Sequence, residues 1–348
     1  MAQIAFTSEW SRTRVVFDIG AMEQLAAEID ALHVLRPLIV TTPGRAQALA
    51  SVREQLGARI VGLCDLAALH VPADRVRAAV AVVDRTEPDV LLAIGGGSAI
   101  GLAKAIAIER RLPIAAVPTT YAGSEMTSIW GITDGEVKRT GRDPGVTPRL
   151  VVYDPNLSMS LPAGVSAASG MNAVAHAVEA MYAPEAGPIA LVAAEEALRL
   201  LSRALPAVVA RPDDLEARAL ALRGAHAAGV ALELAAMGLH HKICHVLGGT
   251  FGLPHAPTHA AVLPHVVAFN APAAPDAMAR IAAALGVADA AAGLAALNRG
   301  LGLTRSLAAL GLRAEDIDRA AALVTASAYV NPRPVTADDV GALMRGAL

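Results

Sequence analysis

The sequence lacks the features that mark nucleic-acid-binding and secreted proteins. Among its 348 residues, Lys and Arg number 29 against 32 Asp and Glu, so no basic surplus would attract nucleic acid. Only two cysteines are present, Cys64 and Cys244, which is typical of a reducing compartment. The amino terminus shows no basic region followed by an apolar run, so we expect no secretory signal. These absences predict a cytoplasmic protein without a nucleic-acid partner.

We also find no uninterrupted apolar run of the length that a membrane span needs. Hydrophobic residues make up 54% of the chain, but aromatic residues make up only 3% and the surplus is largely alanine. The longest candidates, 187–201 and 227–239, are interrupted by Glu195, Glu196 and Glu233. Because a span needs about 20 consecutive apolar residues, we interpret both segments as buried core helices and expect no membrane partner.

Residues 1–157 alternate short β-rich runs with amphipathic helical segments. The predicted strands are 14–17, 37–41, 58–63, 90–94 and 112–117, and the predicted helices are 21–32, a segment from residue 44 to about 56, and 73–85. Such alternation is typical of a parallel sheet covered by helices, which is a Rossmann-like α/β domain. The runs 129–133 and 149–153 predict an antiparallel hairpin on this domain.

Residues 158–348 show helical periodicity throughout and predict an all-helical second domain. Breaks between helices are expected at Pro184, Pro206, Pro212, Pro254 and 272–275. A chain of this length usually divides into two domains. We therefore expect a nucleotide-binding domain at 1–157 and a substrate-binding, catalytic domain at 158–348.

A glycine motif, Gly95-Gly-Gly-Ser98, joins the predicted strand 90–94 to a helix. Glycines lack a Cβ, so the backbone can turn sharply and come close to a ligand. The free N–H groups and the positive dipole end of the following helix favour a phosphate or pyrophosphate. Thr42 and Thr119-Thr120 follow other strands, and ligands of parallel sheets bind at the carboxyl ends of the strands. The three loops together predict nucleotide binding, whereas the glycine motif alone is equally typical of an empty turn.

Six of the ten histidines fall in two segments of the helical domain. They are His176, His240, His241, His245, His255 and His259. Asn172 and His176 are four residues apart, as are His241 and His245, so each pair shares one face of a helix. The pattern favours either a metal site or a cluster of proton donors around an anionic substrate. The isolated His33, His70 and His226 are expected to be structural.

These motifs resemble the iron-containing alcohol dehydrogenase superfamily over nearly the whole chain. That family combines a nucleotide-binding α/β domain, carrying a Gly-Gly-Gly-Ser loop, with a helical domain that holds a metal on one Asp and three His. The ligand positions fall on Asn172, His176, His241 and His255, and a substrate-facing histidine of the family falls on His245. The resemblance implies a dehydroquinate synthase-like two-domain fold, a nicotinamide cofactor and a homodimer.

Two residues depart from the pattern of the metal-binding members. Asn172 stands where they have an aspartate, and Gly101 replaces a residue that is usually acidic. A neutral amide removes the only anionic ligand, and three neutral imidazoles hold a divalent ion less tightly. These departures, with His240-His241 and the segment 254–259, resemble the branch whose members reduce the carbon–carbon double bond of maleylacetate to 3-oxoadipate in bacterial breakdown of aromatic compounds. The resemblance therefore implies an NAD(P)H-dependent oxidoreductase that acts on a small dianion, maleylacetate, without a required metal.

The reduction of maleylacetate suggests a role for each candidate residue of the helical domain. Hydride added to the alkene produces an enolate, and we expect His245, helped by His241 and His176, to stabilise and protonate it. Protonated histidines would also bind the substrate carboxylates. The other residues expected to bind the substrate are Tyr121, His240, His255 and Asn172.

The cofactor contacts are expected on the first domain. Gly95, Gly96, Gly97 and Ser98 would hold the pyrophosphate, and the resemblance places Thr119, Thr120 and Thr127 beside the nicotinamide. Thr42 stands where many relatives have an aspartate that binds the adenine ribose. Losing that carboxylate removes repulsion against a 2′-phosphate, so we expect NADPH to be accepted as well as NADH.

Three alternatives stay open. The first is a metal-dependent (iron or zinc) alcohol or polyol dehydrogenase of the same superfamily that tolerates Asn172. The second is a lyase that uses NAD transiently, although the helical half shows no phosphate pocket rich in Lys and Arg. The third is a protein that binds the cofactor without turnover.

Overall fold

Short apolar runs between residues 13 and 161 form a six-stranded parallel sheet in the computed structural model, which describes residues 13–44, 49–135, 137–304 and 306–348. Its described residues divide into two units, 13–161 and Pro162–Leu348. The division lies four residues beyond the predicted boundary at 157. The start of the helix predicted from residue 44 falls on 45–48, which lie outside the described residues.

The strands of the first unit form one large sheet and one hairpin. In chain order they are β1 (Arg14–Phe17), β2 (Pro37–Val40), β3 (Gly62–Cys64), β4 (Val90–Gly95), β5 (Ile114–Pro118), β6 (Ile129–Asp134), β7 (Val137–Arg142) and β8 (Leu150–Tyr153). The large sheet has the order β1-β8-β5-β4-β2-β3, with every neighbouring pair parallel. The parallel α/β architecture predicted from the alternating pattern is confirmed.

The predicted pairing of 129–133 with 149–153 is wrong. β8 lies between β1 and β5 in the large sheet, and all four of its residues are buried. Strands covered on both faces are apolar at every position, which explains the sequence Leu-Val-Val-Tyr. The hairpin partner of β6 is β7, whose mostly exposed sequence Val-Lys-Arg-Thr-Gly-Arg gives no hydrophobic signal.

Helices cover the large sheet. Those of the first unit are α1 (Leu25–Ala31), α2 (Ala50–Leu56), α3 (Ala73–Thr86) and α4 (Gly97–Arg110). Apolar residues of α1 and α2 pack with those of β2, β4, β5 and β8 in one core. The helix α4 follows directly from β4, and eight of its fourteen residues are buried.

The second unit is helical throughout its described residues. Its helices are α5 (Ala163–Tyr182), α6 (Pro188–Ala210), α7 (Leu215–Leu234), α8 (Leu239–Phe251), α9 (His255–Asn270), α10 (Pro275–Leu285), α11 (Ala290–Gly300), α12 (Ile317–Thr325) and α13 (Ala337–Gly346). The breaks predicted at Pro184, Pro212, Pro254 and 272–275 are confirmed. The break at Pro206 is wrong, because α6 continues through it and buries Leu205 and Val208 on either side.

The helix α5 lies at the centre of this unit and carries the first histidine segment. Sixteen of its twenty residues are buried, and it packs against α6, α7 and α9. A Cβ at Gly170 would come within 2.2 Å of Leu205 Cδ2, so α6 approaches α5 too closely for any side chain there. Small residues thus allow close packing around the buried His176.

One segment of the described residues has the length and hydropathy of a membrane span, although none was expected from the sequence. Pro275–Gly300 reaches a mean hydropathy of 1.6 over 18 residues, and α7 and α8, which are bent by 102° relative to each other, are long and apolar enough when counted as one span. In the structure Pro275–Gly300 is two helices, α10 and α11, separated by Gly286 in a left-handed conformation (φ +72°). Core helices of soluble proteins reach the same length and hydropathy.

Candidate functional site

The turn from β4 to α4 has the geometry of a phosphate-binding loop. Gly95 adopts φ +148°, which side chains rarely allow, and a Cβ at Gly96 would come within 2.7 Å of Thr120 Cγ2. Gly96 caps α4 without a side-chain hydrogen bond, so the N–H groups of the first helical turn lack a capping side chain. These N–H groups, with the positive end of the helix dipole, fit a pyrophosphate.

Threonines border this turn from neighbouring strands. The N–H of Thr119 donates to Gly95 O (3.0 Å), which joins the β5 loop to the glycine loop. The hydroxyl of Thr119 is buried without a hydrogen-bond partner, as expected for a group that awaits a ligand. Thr42 is half-buried just after β2. The residues of the first unit therefore fit a nicotinamide dinucleotide.

A buried ammonium group holds the loop that follows Thr119. Lys104 of α4 is 1% exposed, and its Nζ donates to Ser124 O (2.6 Å), Thr127 O (2.6 Å), Thr127 Oγ1 (2.9 Å) and Ile129 O (2.9 Å). The same helix that begins at the glycine loop thus fixes the loop predicted to line the nicotinamide. The Thr127 hydroxyl, which also donates to Ser124 O (3.0 Å), is engaged in this structural contact.

A fully buried carboxyl group lies on the same loop. The hydroxyl of Tyr153 donates to Glu125 Oε1 (2.9 Å), while Glu125 Oε2 has no partner. Burial raises the pKa of Glu125 to about 6, an effect that the hydrogen bond from Tyr153 and the charge of Lys104 only partly offset. Tyr121, expected to bind the substrate, is completely buried on this loop.

In the second unit the structure brings all six clustered histidines together. The His176 and His241 rings stack with centroids 5.1 Å apart, and His241 lies 6.0 Å from His245. The His259 ring lies 4.5 Å from His255 and 4.9 Å from His241. His245 and His255 are half-buried, whereas the other four histidines are buried. The solitary His33 and His70 adopt left-handed turn conformations outside this cluster.

Glu179 orients His241 and the whole start of α8. It lies one turn after His176 on α5 and is 1% exposed. Its Oε2 accepts from His241 Nδ1 (2.5 Å) and from the N–H of Gly238 (3.1 Å), and its Oε1 accepts from the N–H of His240 (2.8 Å). A carboxylate at a helix N-terminus satisfies the free N–H groups and the helix dipole. The bond to Nδ1 directs any proton transfer by His241 to its Nε2.

Three buried polar atoms at the family's metal-ligand positions have no hydrogen-bond partner. They are Asn172 Oδ1, His176 Nδ1 and His241 Nε2. They could receive a ligand, but this set lacks a carboxylate and Asn172 is neutral. Among the described residues, the donors of His, Cys, Asp and Glu converge within 4.8 Å only at His240, Cys244 and His259, which adjoin this set but share no residue with it. The residues present therefore offer a divalent ion no anionic ligand and fit it less well than a set that includes an aspartate.

His240 was expected to bind the substrate, but its side chain is hydrogen-bonded to another histidine. Its Nε2 lies 2.8 Å from His259 Nδ1, and both residues are completely buried. One of these nitrogens donates and the other accepts, so the pair shares a hydrogen bond in either tautomer. This arrangement makes His240 a residue that positions His259.

Burial sets the charge of three of the histidines. It lowers the pKa of His176, His240 and His259 well below the usual value, and the neighbouring histidines lower it further. A lowered pKa keeps these imidazoles neutral near pH 7. Protonated histidines that bind the substrate carboxylates, as predicted, are therefore not found at these three positions.

Sequence reasoning missed three residues of these sites. Glu179 and Lys104 are single charged residues inside apolar helices, and that signal could have identified them, because buried charges need a partner. His259 stood among the clustered histidines but received no role. The structure places it between His240, His255 and His241.

Comparison with known proteins gives consistent matches along the chain. The model of the iron-containing alcohol dehydrogenases matches residues 12–155, and that of the C-terminal region of the Fe-containing alcohol dehydrogenase family matches residues 166–348. Maleylacetate reductase of Sphingobium indicum is 49% identical over 336 residues, covering 96% of this chain and 95% of that protein. Maleylacetate reductase of Burkholderia cepacia is 48% identical, covering 99% and 97%. The crystal structure of maleylacetate reductase from Agrobacterium tumefaciens matches with a TM-score of 0.93 at 41% identity, covering 99% and 98%.

Proposed function

The chain belongs to the iron-containing alcohol dehydrogenase family, and we propose that it is an oxidoreductase that reduces the carbon–carbon double bond of maleylacetate to 3-oxoadipate with NADH or NADPH. Identity of 48–49% along almost the full length of proteins named maleylacetate reductase carries this proposal. The histidine cluster without a carboxylate at residue 172 supports it, because the set favours proton donation over metal chemistry.

The cofactor binds at the β4–α4 turn of the first unit. Gly95, Gly96, Gly97 and Ser98 hold the pyrophosphate, and Thr119 and Thr120 border the nicotinamide. Thr127, which is completely buried and bonded to Lys104, supports their loop instead. When bound, the nicotinamide supplies the hydride. Thr42 leaves room for a 2′-phosphate, because no carboxylate at that position repels it. Lys104 keeps the threonine loop in place, because the three N–H groups of its ammonium lie within hydrogen-bond distance of four acceptors on that loop.

The substrate binds at the histidine cluster of the second unit. Its alkene is conjugated to a ketone, so hydride addition at the distal alkene carbon places negative charge on the ketone oxygen as an enolate. Hydrogen-bond donors at that oxygen stabilise the charge. His245 is half-buried at the edge of the cluster and is the residue we assign to this donation, with His241 and His176 beside it.

Proton transfer to the carbon next to the ketone completes the reduction. His241 can serve here, because Glu179 holds its Nδ1 and compensates the positive charge when Nε2 carries a second proton. Asn172 offers the unpartnered Oδ1 and its amide group to the substrate. His255, half-buried beside His245, lies where a substrate carboxylate can reach it.

Oxidation of NADH by the purified protein, with chromatographic identification of the product, tests the activity. We expect maleylacetate to be consumed and 3-oxoadipate to appear in equal amount to the NADH oxidised. Oxidation of alcohols and polyols with NAD⁺ is measured for comparison. Turnover of these alone, dependent on added iron or zinc, would favour the metal-dependent dehydrogenase instead.

Location and assembly follow from the same proposal. A catabolic oxidoreductase that draws on NADH or NADPH works where the cell keeps these cofactors, so we propose a cytoplasmic location. We also propose a homodimer, as the resemblance to the family implies. Sedimentation of the purified protein tests the assembly, with a single monomeric species as the contrary result.

A further inference from the structure

The trio His240, Cys244 and His259 lies behind the substrate-facing histidines and has no part in the proposed reaction. His240 and Cys244 are one turn apart on α8, and His259 faces them from α9. Cys244 Sγ lies 3.8 Å from His240 Nε2, and His240 Nε2 lies 2.8 Å from His259 Nδ1. All three donor atoms lie within 4.8 Å of one another.

We propose that these three residues form a binding site for one soft monovalent cation, represented by Cu(I). Two imidazoles and one thiolate are the ligands that soft metals select. The cation takes the place of the hydrogen bond between the two imidazoles, and the rings separate slightly to admit it. This site shares no residue with the family's ligand positions at Asn172, His176, His241 and His255, although His259 contacts His241 and His255.

Charge selects the cation. The trio is completely buried and contains no carboxylate. One thiolate with one monovalent cation is neutral, whereas a divalent ion would leave a buried positive charge that is costly in an apolar interior. Binding releases the thiol proton of Cys244 to solvent, and no electron is transferred. The site therefore favours Cu(I) over Zn²⁺ or Fe²⁺.

The outer ring nitrogens can complete this arrangement. His240 Nδ1 and His259 Nε2 are buried without a hydrogen-bond partner. When the inner nitrogens bind the cation, each imidazole stays neutral by carrying its proton on the outer nitrogen. No side chain has to leave its place for this change of tautomer.

The half-buried histidines provide a route for the cation to the buried trio. His245 lies 6.4 Å from His255, and His255 lies 4.5 Å from His259, between ring centroids. A soft cation can thus pass from one imidazole to the next. Once bound, it fixes the His259 ring beside His241 and inhibits turnover. The inhibition rests on the proposed function, but the binding does not.

Anaerobic titration of the purified protein with Cu(I) against bicinchoninate tests the site without any substrate. We expect one Cu(I) per chain, and X-ray absorption should show one sulfur and two nitrogen ligands. Cys244→Ser should weaken binding at least 100-fold. Cys64→Ser is the matched control, because Cys64 is an equally buried thiol in β3, and it should leave the affinity unchanged.

A second pair of variants separates this site from the family's ligand positions. His259→Asn should weaken Cu(I) binding as Cys244→Ser does, whereas His176→Asn should not. Far-ultraviolet circular dichroism confirms that each variant is folded. Absence of tight Cu(I) binding, equal binding by Cys244→Ser, or loss of binding in His176→Asn alone would overturn the proposal. None of these results depends on whether maleylacetate is reduced.

Discussion

Glu179 accepts a hydrogen bond of 2.5 Å from His241 Nδ1, and the same carboxylate accepts from the backbone N–H of His240. One side chain of α5 therefore fixes both the orientation of a candidate catalytic imidazole and the start of the helix that carries it. The relationship resembles the carboxylate that orients the histidine of a catalytic triad. It gives His241 a defined nitrogen, Nε2, for proton transfer.

Replacing Glu179 by Gln tests this orientation. The amide keeps the size but removes the charge and offers an N–H group where an acceptor is needed. We expect kcat to fall roughly 100-fold or more, with a smaller change in KM. Steady-state kinetics, with kcat and KM determined separately, measure the effect.

Glu195→Gln is the control for this prediction. Glu195 is on the surface of α6 and pairs with Arg280 (2.6 Å) at 40% side-chain exposure. Exposed ion pairs contribute about 0–1 kcal/mol, so activity should be unchanged. Equal kcat values in Glu179→Gln and the wild type would remove Glu179 from the mechanism.

Replacing His245 by Ala tests the hydrogen bond proposed to stabilise the enolate oxygen. Removing one hydrogen-bond donor to a developing oxyanion costs about 10²–10³-fold in rate, and we expect a loss of this size in kcat. NADH binding, measured by fluorescence titration, should stay the same, because the cofactor contacts are assigned to the first unit. His265→Ala, on α9 outside the cluster, is the control and should keep the wild-type kcat. An unaffected kcat in His245→Ala would mean that another residue stabilises the enolate.

Replacing Gly96 by Ala tests the pyrophosphate loop. The new Cβ would meet Thr120 Cγ2 at 2.7 Å, so the loop has to shift away from its position under the cofactor. We expect the KM for NADH to rise about tenfold or more, equivalent to about 1.4 kcal/mol of binding free energy. Initial rates at varied NADH concentration measure this change.

Gly164→Ala is the matched control, since a Cβ there meets nothing within 4 Å in the first turn of α5. It should leave the KM for NADH unchanged and stabilise the helix by up to about 1 kcal/mol. Unaltered cofactor affinity in Gly96→Ala would argue against the loop as the pyrophosphate site.

The buried Glu125 predicts a pH dependence of stability. Its pKa is raised from 4.5 to about 6, so the folded state binds the proton more tightly than the unfolded state. The stabilisation is fully present below pH 4.5 and is lost as the pH rises through 6. Relative to Glu125→Gln, the wild type should lose about 1 kcal/mol of unfolding free energy between pH 5 and pH 7.5.

Urea unfolding of both proteins at these two pH values measures this difference. Glu195→Gln serves again as the control, and its stability relative to the wild type should not change over the interval. A pH-independent difference between wild type and Glu125→Gln would mean that Glu125 is ionised throughout.

The sequence predicted the parts of the fold that depend on local patterns. The apolar run before Gly95 and the helix after it are found as β4 and α4, because glycine turns and continuous apolar strands are local signals. The partner of β8 was not predictable in the same way. Its four apolar residues suit a hairpin as well as a central strand, and only long-range packing decides between them.

The histidine cluster was likewise predictable only where it depends on local sequence spacing. Spacing of four residues places His241 and His245 on one face of α8, and the structure agrees. The bond from His241 to Glu179 joins residues 62 positions apart, and the bond from His240 to His259 crosses between two helices. Such contacts depend on how α5, α8 and α9 pack, which no local pattern encodes.

The central claim is that histidine side chains supply by proton donation what a metal ion supplies in other members of the family. The most direct measurement is the rate of maleylacetate-dependent NADH oxidation by protein treated with a strong chelator, with iron and zinc per chain determined on the same sample. The account predicts an undiminished rate at a metal content far below one ion per chain. A rate that vanishes with the metal and returns on adding iron or zinc, with that ion bound through Asn172, would contradict it.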